Sequence, residues 1–222
     1  MEIKDKKFIL FDFDGTIVDT GPGIKNGVRY ALGELGIPIR ESDTLDGFIG
    51  PPMTRSYPDN YGLDAEATKE AIRIFREYYA EKGQFECSMY SGIDSLLSDL
   101  RKSGKVICVA TSKPEKFAQK ILDRFSLLRY LDVLVGATLD GSREKKADVL
   151  NCVFERLGWP DREEAVLIGD RHYDVDGAKA CSISSVGVLY GYGSREEFEL
   201  AGADVIVETV DDLRRLLLPD PS

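Results

Sequence analysis

Histidine is all but missing from this chain: His172 is the single one among 222 residues. No Ser-His-Asp triad and no histidine-rich metal centre can be built around one residue, and His172 reads as a solvated side chain at an exposed position. Cysteine is sparse as well. Cys87, Cys108, Cys152 and Cys181 lie far apart without a Cys-x-x-Cys pair, so they read as reduced structural thiols of a cytosolic protein and not as a disulfide framework. Positive charge is in deficit, 29 Lys and Arg against 39 Asp and Glu, for a net charge of −10. Nucleic acid and anionic membrane are thereby excluded as main partners, because binding them needs clustered cations. A small phosphorylated ligand is not excluded, since one bound cation inverts the local field. Long apolar runs are missing too: the segment after "MEIKDKK" is too short and too acidic for a signal or membrane-spanning stretch. There are no repeats or low-complexity tracts, and the tail "PDPS" (219–222) reads as a fraying terminus.

What is present is an alternation. Six short β-branched runs, 7–13, 105–111, 132–137, 165–170, 184–190 and 203–207, are separated by amphipathic segments such as "GIDSLLSDLRKSG" and "KADVLNCVFERLG", each ending on glycine. "KPEKFAQKILDRF" adds a helix with proline early, where it is tolerated. This is the pattern of an α/β fold, a Rossmann-like parallel sheet with helices on its faces. Between Thr20 and Cys87 the rhythm breaks. "GIKNGVRYALGELG" places Ile24, Val28, Leu32 and Leu35 on one helix face, and "DAEATKEAIRIFREYYAEKG" is a longer helix with Asp64 as its cap. "GFIGPPM" (47–53) forms a stiff turn between them. The expected organisation is a discontinuous core, 1–19 and 88–222, with an all-helical insertion over 20–87.

"FILFDFDGTIVDT" (8–20) is the most informative stretch. In a strand, residues two apart point the same way, so Asp12 and Asp14 present their carboxylates to one side at its C-terminal end, where open α/β sheets bind ligands. Gly15 permits a tight turn and close approach of a ligand. Two carboxylates so close are costly unless a cation or a proton lies between them.

"DFDGTIVDT" resembles the first motif of the haloacid-dehalogenase-type hydrolases, and three further motifs follow in order along nearly the whole chain. "VATSKP" (109–114) ends a strand with Thr111 and Ser112; "KKADVL" (145–150) opens a helix with lysine; "VLIGDRHYDVDGA" (166–178) ends a strand in Gly-Asp with a second aspartate four residues on. The resemblance implies a core sheet with a helical cap, and a phosphatase of the phosphoglycolate phosphatase-like branch. Asp12 is then the nucleophile that forms an aspartyl-phosphate, and Asp14 the general acid and base. Mg²⁺ is expected on the carboxylates of Asp12 and Asp170 and the backbone carbonyl of Asp14, with Asp174 as a further candidate through water or as an orienter of the lysine. A helix-N-terminal acid is the competing reading of Asp174. Thr111, with Ser112 and Gly15, is expected to bind the phosphoryl group, and Lys146 to neutralise charge in the transition state. Lys145 is second in line for that role, and Lys113 is placed at the rim. Asp19 is read as a helix cap or hinge residue.

Substrate choice falls to the cap, where "GFIGPPMTR" (47–55) offers Phe48, Ile49, Met53 and Arg55 as candidate contacts against ordinary packing. Tyr190 and Tyr192 are candidates for the site entrance or for packing. The expected partner is a small phosphorylated metabolite, and the expected state a monomer or weak homodimer. A 5′-nucleotidase and a phosphomutase use the same motifs; Thr16 leans toward phosphatase. A dehalogenase would lack the acid at position 14. Outside enzymes, an aspartate-phosphorylated receiver module is shorter and carries no insertion after its first strand, and a degenerate binding scaffold would not keep every catalytic position filled.

Overall fold

The computed structural model describes residues 1–218, so the expected fraying tail lies outside the described residues. By internal contacts the chain divides into two compact units, Met1–Val18 with Met89–Ser222, and Asp19–Ser88.

The first unit is built on a six-stranded parallel sheet. Its strands are β1 (Phe8–Phe11), β4 (Val106–Pro114), β5 (Val133–Ala137), β6 (Ala165–Gly169), β7 (Ser184–Val188) and β8 (Val205–Val207), in the order β5-β4-β1-β6-β7-β8. All six expected strands form. The chain crossings between the units are two short strands, β2 (Val18–Asp19) and β3 (Ser88–Met89), which pair with each other. Helices α4 (Ile93–Lys102), α5 (Glu115–Arg124), α6 (Lys146–Arg156), α7 (His172–Ala180), α8 (Arg195–Ala201) and α9 (Val210–Leu217) complete the unit. One sheet face sends Phe8, Leu10, Cys108, Ala110, Val135 and Leu167 against Val149, Val153, Phe154 and Ala178 of α6 and α7. The alternate residues Ile9, Phe11, Ile107, Val109, Val166 and Ile168 are buried as completely, so the sheet is covered on both faces. At roughly 1.5–3 kcal/mol per fully buried aliphatic or aromatic side chain, this double layer fixes the register of the strand ends. Connections run to opposite sides of β1, through β4 and β6, which makes the C-terminal end of β1 a topological switch point. All four cysteines are free.

The second unit is helical, with α1 (Gly21–Glu34), α2 (Met53–Tyr61) and α3 (Ala65–Glu81). Ile24, Val28 and Leu32 of α1 are buried as the periodicity predicts, and Asp64 caps α3 by accepting from Ala67 N at 2.9 Å. Asp19 Oδ1 accepts from Gly21 N, the first residue of α1, at 3.1 Å. Helix α2 is an element the sequence pattern does not announce. Pro52 precedes it and Pro58 lies inside it, past the first turn, where proline cannot donate an i→i−4 bond, and Gly62 closes the helix at φ +65°.

Candidate active site

Strand β1 stops at Phe11, so Asp12 and Asp14 stand beyond it and not within it. Asp12 N still bonds Ile168 O at 2.8 Å, continuing the ladder toward β6. A tight turn then follows in which Ile17 N and Val18 N bond Phe13 O, and Gly15 takes φ +78°. The turn, and not strand alternation, sets the two acids. Glycine is required at position 15 on a second ground: a Cβ there would lie 2.0 Å from Asp170 Oδ2.

Each acid meets its own lysine. Lys146, the first residue of α6, brings Nζ to 2.8 Å from Asp12 Oδ1 and 2.8 Å from Asp174 Oδ1, and donates to Ala110 O at 3.1 Å. Lys145 precedes the helix and is exposed. Lys113 is not at the rim: its Nζ donates to Asp14 Oδ1 at 2.9 Å, with the two side chains only 5% and 10% exposed. An isolated lysine after a strand reads as solvated, and nothing local in the sequence pairs it with an acid 99 residues earlier. Its backbone N–H is accepted by Thr111 Oγ1 at 3.1 Å, which leaves the Thr111 hydroxyl hydrogen to be donated elsewhere. Ser112 is half-buried beside it.

Asp170, at the end of β6, is fully buried. Its Oδ2 accepts from Tyr192 N at 2.9 Å, while Oδ1 is buried with no hydrogen-bond partner. Asp174 makes two contacts: Oδ1 lies 2.8 Å from Lys146 Nζ, and Oδ2 accepts from Arg171 N at 3.1 Å as part of the capping of α7. Carboxylate oxygens of Asp12, Asp170 and Asp174 all lie within 4.8 Å of one another, in a buried group.

Crowding shows in the ionisation. Burial raises Asp12 to about 7, against the pull of Lys146 and with the help of Asp174 and Asp14. Burial, then Asp174 and Asp12, hold Asp170 well above the usual carboxylate range. For Lys146 burial works against the charge, but Asp12 and Asp174 outweigh it and raise the ammonium further. Of the three buried carboxylates, Asp12 and Asp174 pair with one ammonium, and Asp170 Oδ1 has no hydrogen-bond partner. That donor set is all oxygen, anionic and short of positive charge, which fits a hard divalent cation.

The remaining candidates have other partners. Phe48 is buried within the helical unit, its ring edge-on to Tyr57 at 5.0 Å between centroids. Arg55 is exposed on α2 and pairs with Asp59 one turn on. Tyr190 donates to Thr16 O at 3.0 Å and packs on Tyr90. His172 is not simply solvated: half-buried, it places Nδ1 2.7 Å from Glu197 Oε1.

A family model described as haloacid dehalogenase-like hydrolase matches residues 9–188. The tyrosine-protein kinase PtkA of Mycobacterium tuberculosis is 39% identical over 95% of this chain and 72% of its own length. A 5′-nucleotidase of Pseudomonas aeruginosa is 37% identical over 85% of each chain. A phosphoglycolate phosphatase of Pseudomonas savastanoi pv. phaseolicola is 32% identical over 95% of this chain and 78% of its own. Among solved structures, a predicted phosphatase from Clostridium acetobutylicum superposes with a TM-score of 0.91 at 42% identity, covering 95% of this chain and 97% of that one.

Proposed function

Since the chain belongs to the haloacid dehalogenase-like hydrolases, and its relatives make it a phosphatase of that family, we propose that it is a Mg²⁺-dependent phosphatase of small phosphomonoesters working through an aspartyl-phosphate on Asp12. The observation that carries this reading is the buried carboxylate group of Asp12, Asp170 and Asp174 against the single ammonium of Lys146. Asp12 and Asp170, with the backbone carbonyl of Asp14, would hold the cation. When bound, it neutralises the phosphoryl oxygens and makes phosphorus more electrophilic.

The chain's own residues divide the work. The Asp12 carboxylate forms the new oxygen–phosphorus bond as the ester oxygen leaves with a proton from Asp14. Water then attacks phosphorus, gives its proton to Asp14, and releases phosphate with Asp12 regenerated. Lys113 holds Asp14 through Oδ1. Lys146 keeps Asp12 oriented and offsets the charge that gathers as the phosphoryl group arrives. Thr111 donates its hydroxyl hydrogen to a phosphoryl oxygen. These groups see only the phosphoryl end, so choice among phosphomonoesters is assigned to the helical unit 19–88. A small phosphorylated metabolite is the partner this reading requires, with the chain acting as a monomer or weak dimer. No helix among the described residues is long and apolar enough to cross a membrane.

Two relatives sharpen the substrate question. The 37% identity to a 5′-nucleotidase supports nucleoside monophosphates beside phosphoglycolate. The 39% identity to a tyrosine-protein kinase supports transfer of the phosphoryl group to a tyrosine hydroxyl in place of water. Phosphate release from phosphoglycolate, nucleoside monophosphates, hexose phosphates and an aryl phosphate, with Mg²⁺ or EDTA, decides among them. Release is expected with Mg²⁺ alone, reduced at least about a thousandfold in Asp12→Asn, or about 4 kcal/mol of barrier. Release that survives EDTA or Asp12→Asn contradicts the mechanism. Labelling of tyrosine from ATP without phosphate release assigns the kinase reading.

A further inference from the structure

Glu197 lies on α8, outside the four motifs, yet its Oε1 gathers three donors from the segment that follows Asp170. Arg171 Nε donates at 2.9 Å, His172 N at 2.8 Å, and His172 Nδ1, which carries its hydrogen to face a carboxylate, lies at 2.7 Å. Burial alone would raise the Glu197 carboxyl, but the His172 N–H groups and the Arg171 guanidinium hold it below the usual range, so it accepts as a carboxylate.

The position of these contacts matters more than their number. Arg171 is the N-cap of α7 and His172 its first residue, so together they lead from Asp170 into the turn that carries Asp174. The loop leading from β7 to α8 closes on the same segment. Tyr192 N holds Asp170 Oδ2, and Gly191 and Gly193 are bare because a Cβ at either would meet Asp170, at 2.4 Å from its Cβ and 2.2 Å from its carbonyl oxygen. Ser194 then caps α8 by accepting from Glu197 N at 3.1 Å. Asp170 is thus fixed by main chain on one side, and the link from Asp170 to Asp174 is fixed by Glu197 on the other.

We propose that Glu197 is a positioning residue for the cation site: by anchoring Arg171 and His172 it sets the separation and orientation of the Asp170 and Asp174 carboxylates. The proposal rests on the divalent-cation reading of the site. Partners that orient metal ligands from outside the coordination sphere typically change metal affinity by about 10–100-fold when removed.

The test is Mn²⁺ binding to the full chain, followed by loss of the free-ion electron paramagnetic resonance signal, in wild type, Glu197→Gln and Glu197→Asp. Glutamine keeps an acceptor oxygen in place and loses the charge; aspartate keeps the charge and withdraws the oxygen. A positioning role predicts that Glu197→Gln stays within a few-fold of wild type while Glu197→Asp weakens binding about tenfold. Glu199→Ala, which removes an exposed carboxylate from the same helix, is the control and should bind as wild type. Equal affinity in all variants overturns the proposal, and so does a loss in Glu197→Gln with Glu197→Asp intact, which would assign the effect to charge. Absence of Mn²⁺ binding in wild type would instead overturn the cation reading itself.

Discussion

In the α/β unit the buried polar residues include Lys6, Asp12, Asp14, Lys113, Lys146, Asp170 and Asp174. Among the described residues of the helical unit they are Thr20, Ser56, Thr68 and Gln84, none of them charged. There the charges are held outside, in pairs such as Arg55–Asp59 and Arg73–Glu70, with both partners about half exposed or more. Exposed pairs of this kind contribute about 0–1 kcal/mol each. Burying a charge costs several kcal/mol even after relaxation, and six of these seven, all but Lys6, gather at one site, which stability does not explain. One unit holds charge against its solvation preference, and the other has no charged residue among its buried described residues.

The largest expected effect that sharpens this contrast lies in the helical unit. Phe48→Ala empties a buried aromatic site against Tyr57 and should lower stability by about 3–5 kcal/mol in urea unfolding. If Phe48 instead served substrate binding, KM would rise with the unfolding midpoint unchanged, and the description of that unit's interior would have to be redrawn.

A smaller effect of opposite sign is expected in the α/β unit. Asp170 is held above its ordinary carboxylate range, so its folded state favours the proton. The stability tied to it is fully present below the unfolded value, about 4, and is lost as pH rises toward the raised folded value. In metal-free protein Asp170→Asn should therefore raise Tm at pH 7–8, by roughly 2–4 °C for each kcal/mol gained, with the gain vanishing near pH 4. Mg²⁺ should raise the Tm of wild type and not that of the variant. A variant that melts below wild type at pH 8 without metal would break the comparison, because the acid would then be stabilising on its own.

Much of this was legible in the sequence, and the exceptions have physical causes. All six core strands follow from their β-branched runs, because a sheet covered on both faces leaves continuous apolar stretches. Helix α2 was hidden by Pro52 and Pro58, which read as punctuation: proline is expected before a helix or in its first turn, and Pro58 lies inside this one. Asp12 and Asp170 are legible as motif residues at element ends, whereas Asp174 also reads as a helix-capping acid and Lys146 stands beside Lys145 as a second candidate. Lys113 and Glu197 do not, because their roles depend on tertiary partners: Asp14 lies 99 residues from Lys113, and His172 lies 25 from Glu197. Phe48 and Arg55 were singled out by their turn, yet the turn's proline-rich end begins a helix, with one residue packed inside and the other paired on the surface.

The central claim is that Asp12 itself carries the phosphoryl group. Borohydride reduction of enzyme quenched during turnover tests it directly, because an aspartyl-phosphate is reduced to homoserine whereas a free carboxylate is not. The account predicts homoserine at position 12, found by peptide mass spectrometry, formed only with substrate and Mg²⁺ present and missing from Asp12→Asn. Reduction at another aspartate, or intact Asp12 in an enzyme that is turning over, would contradict it.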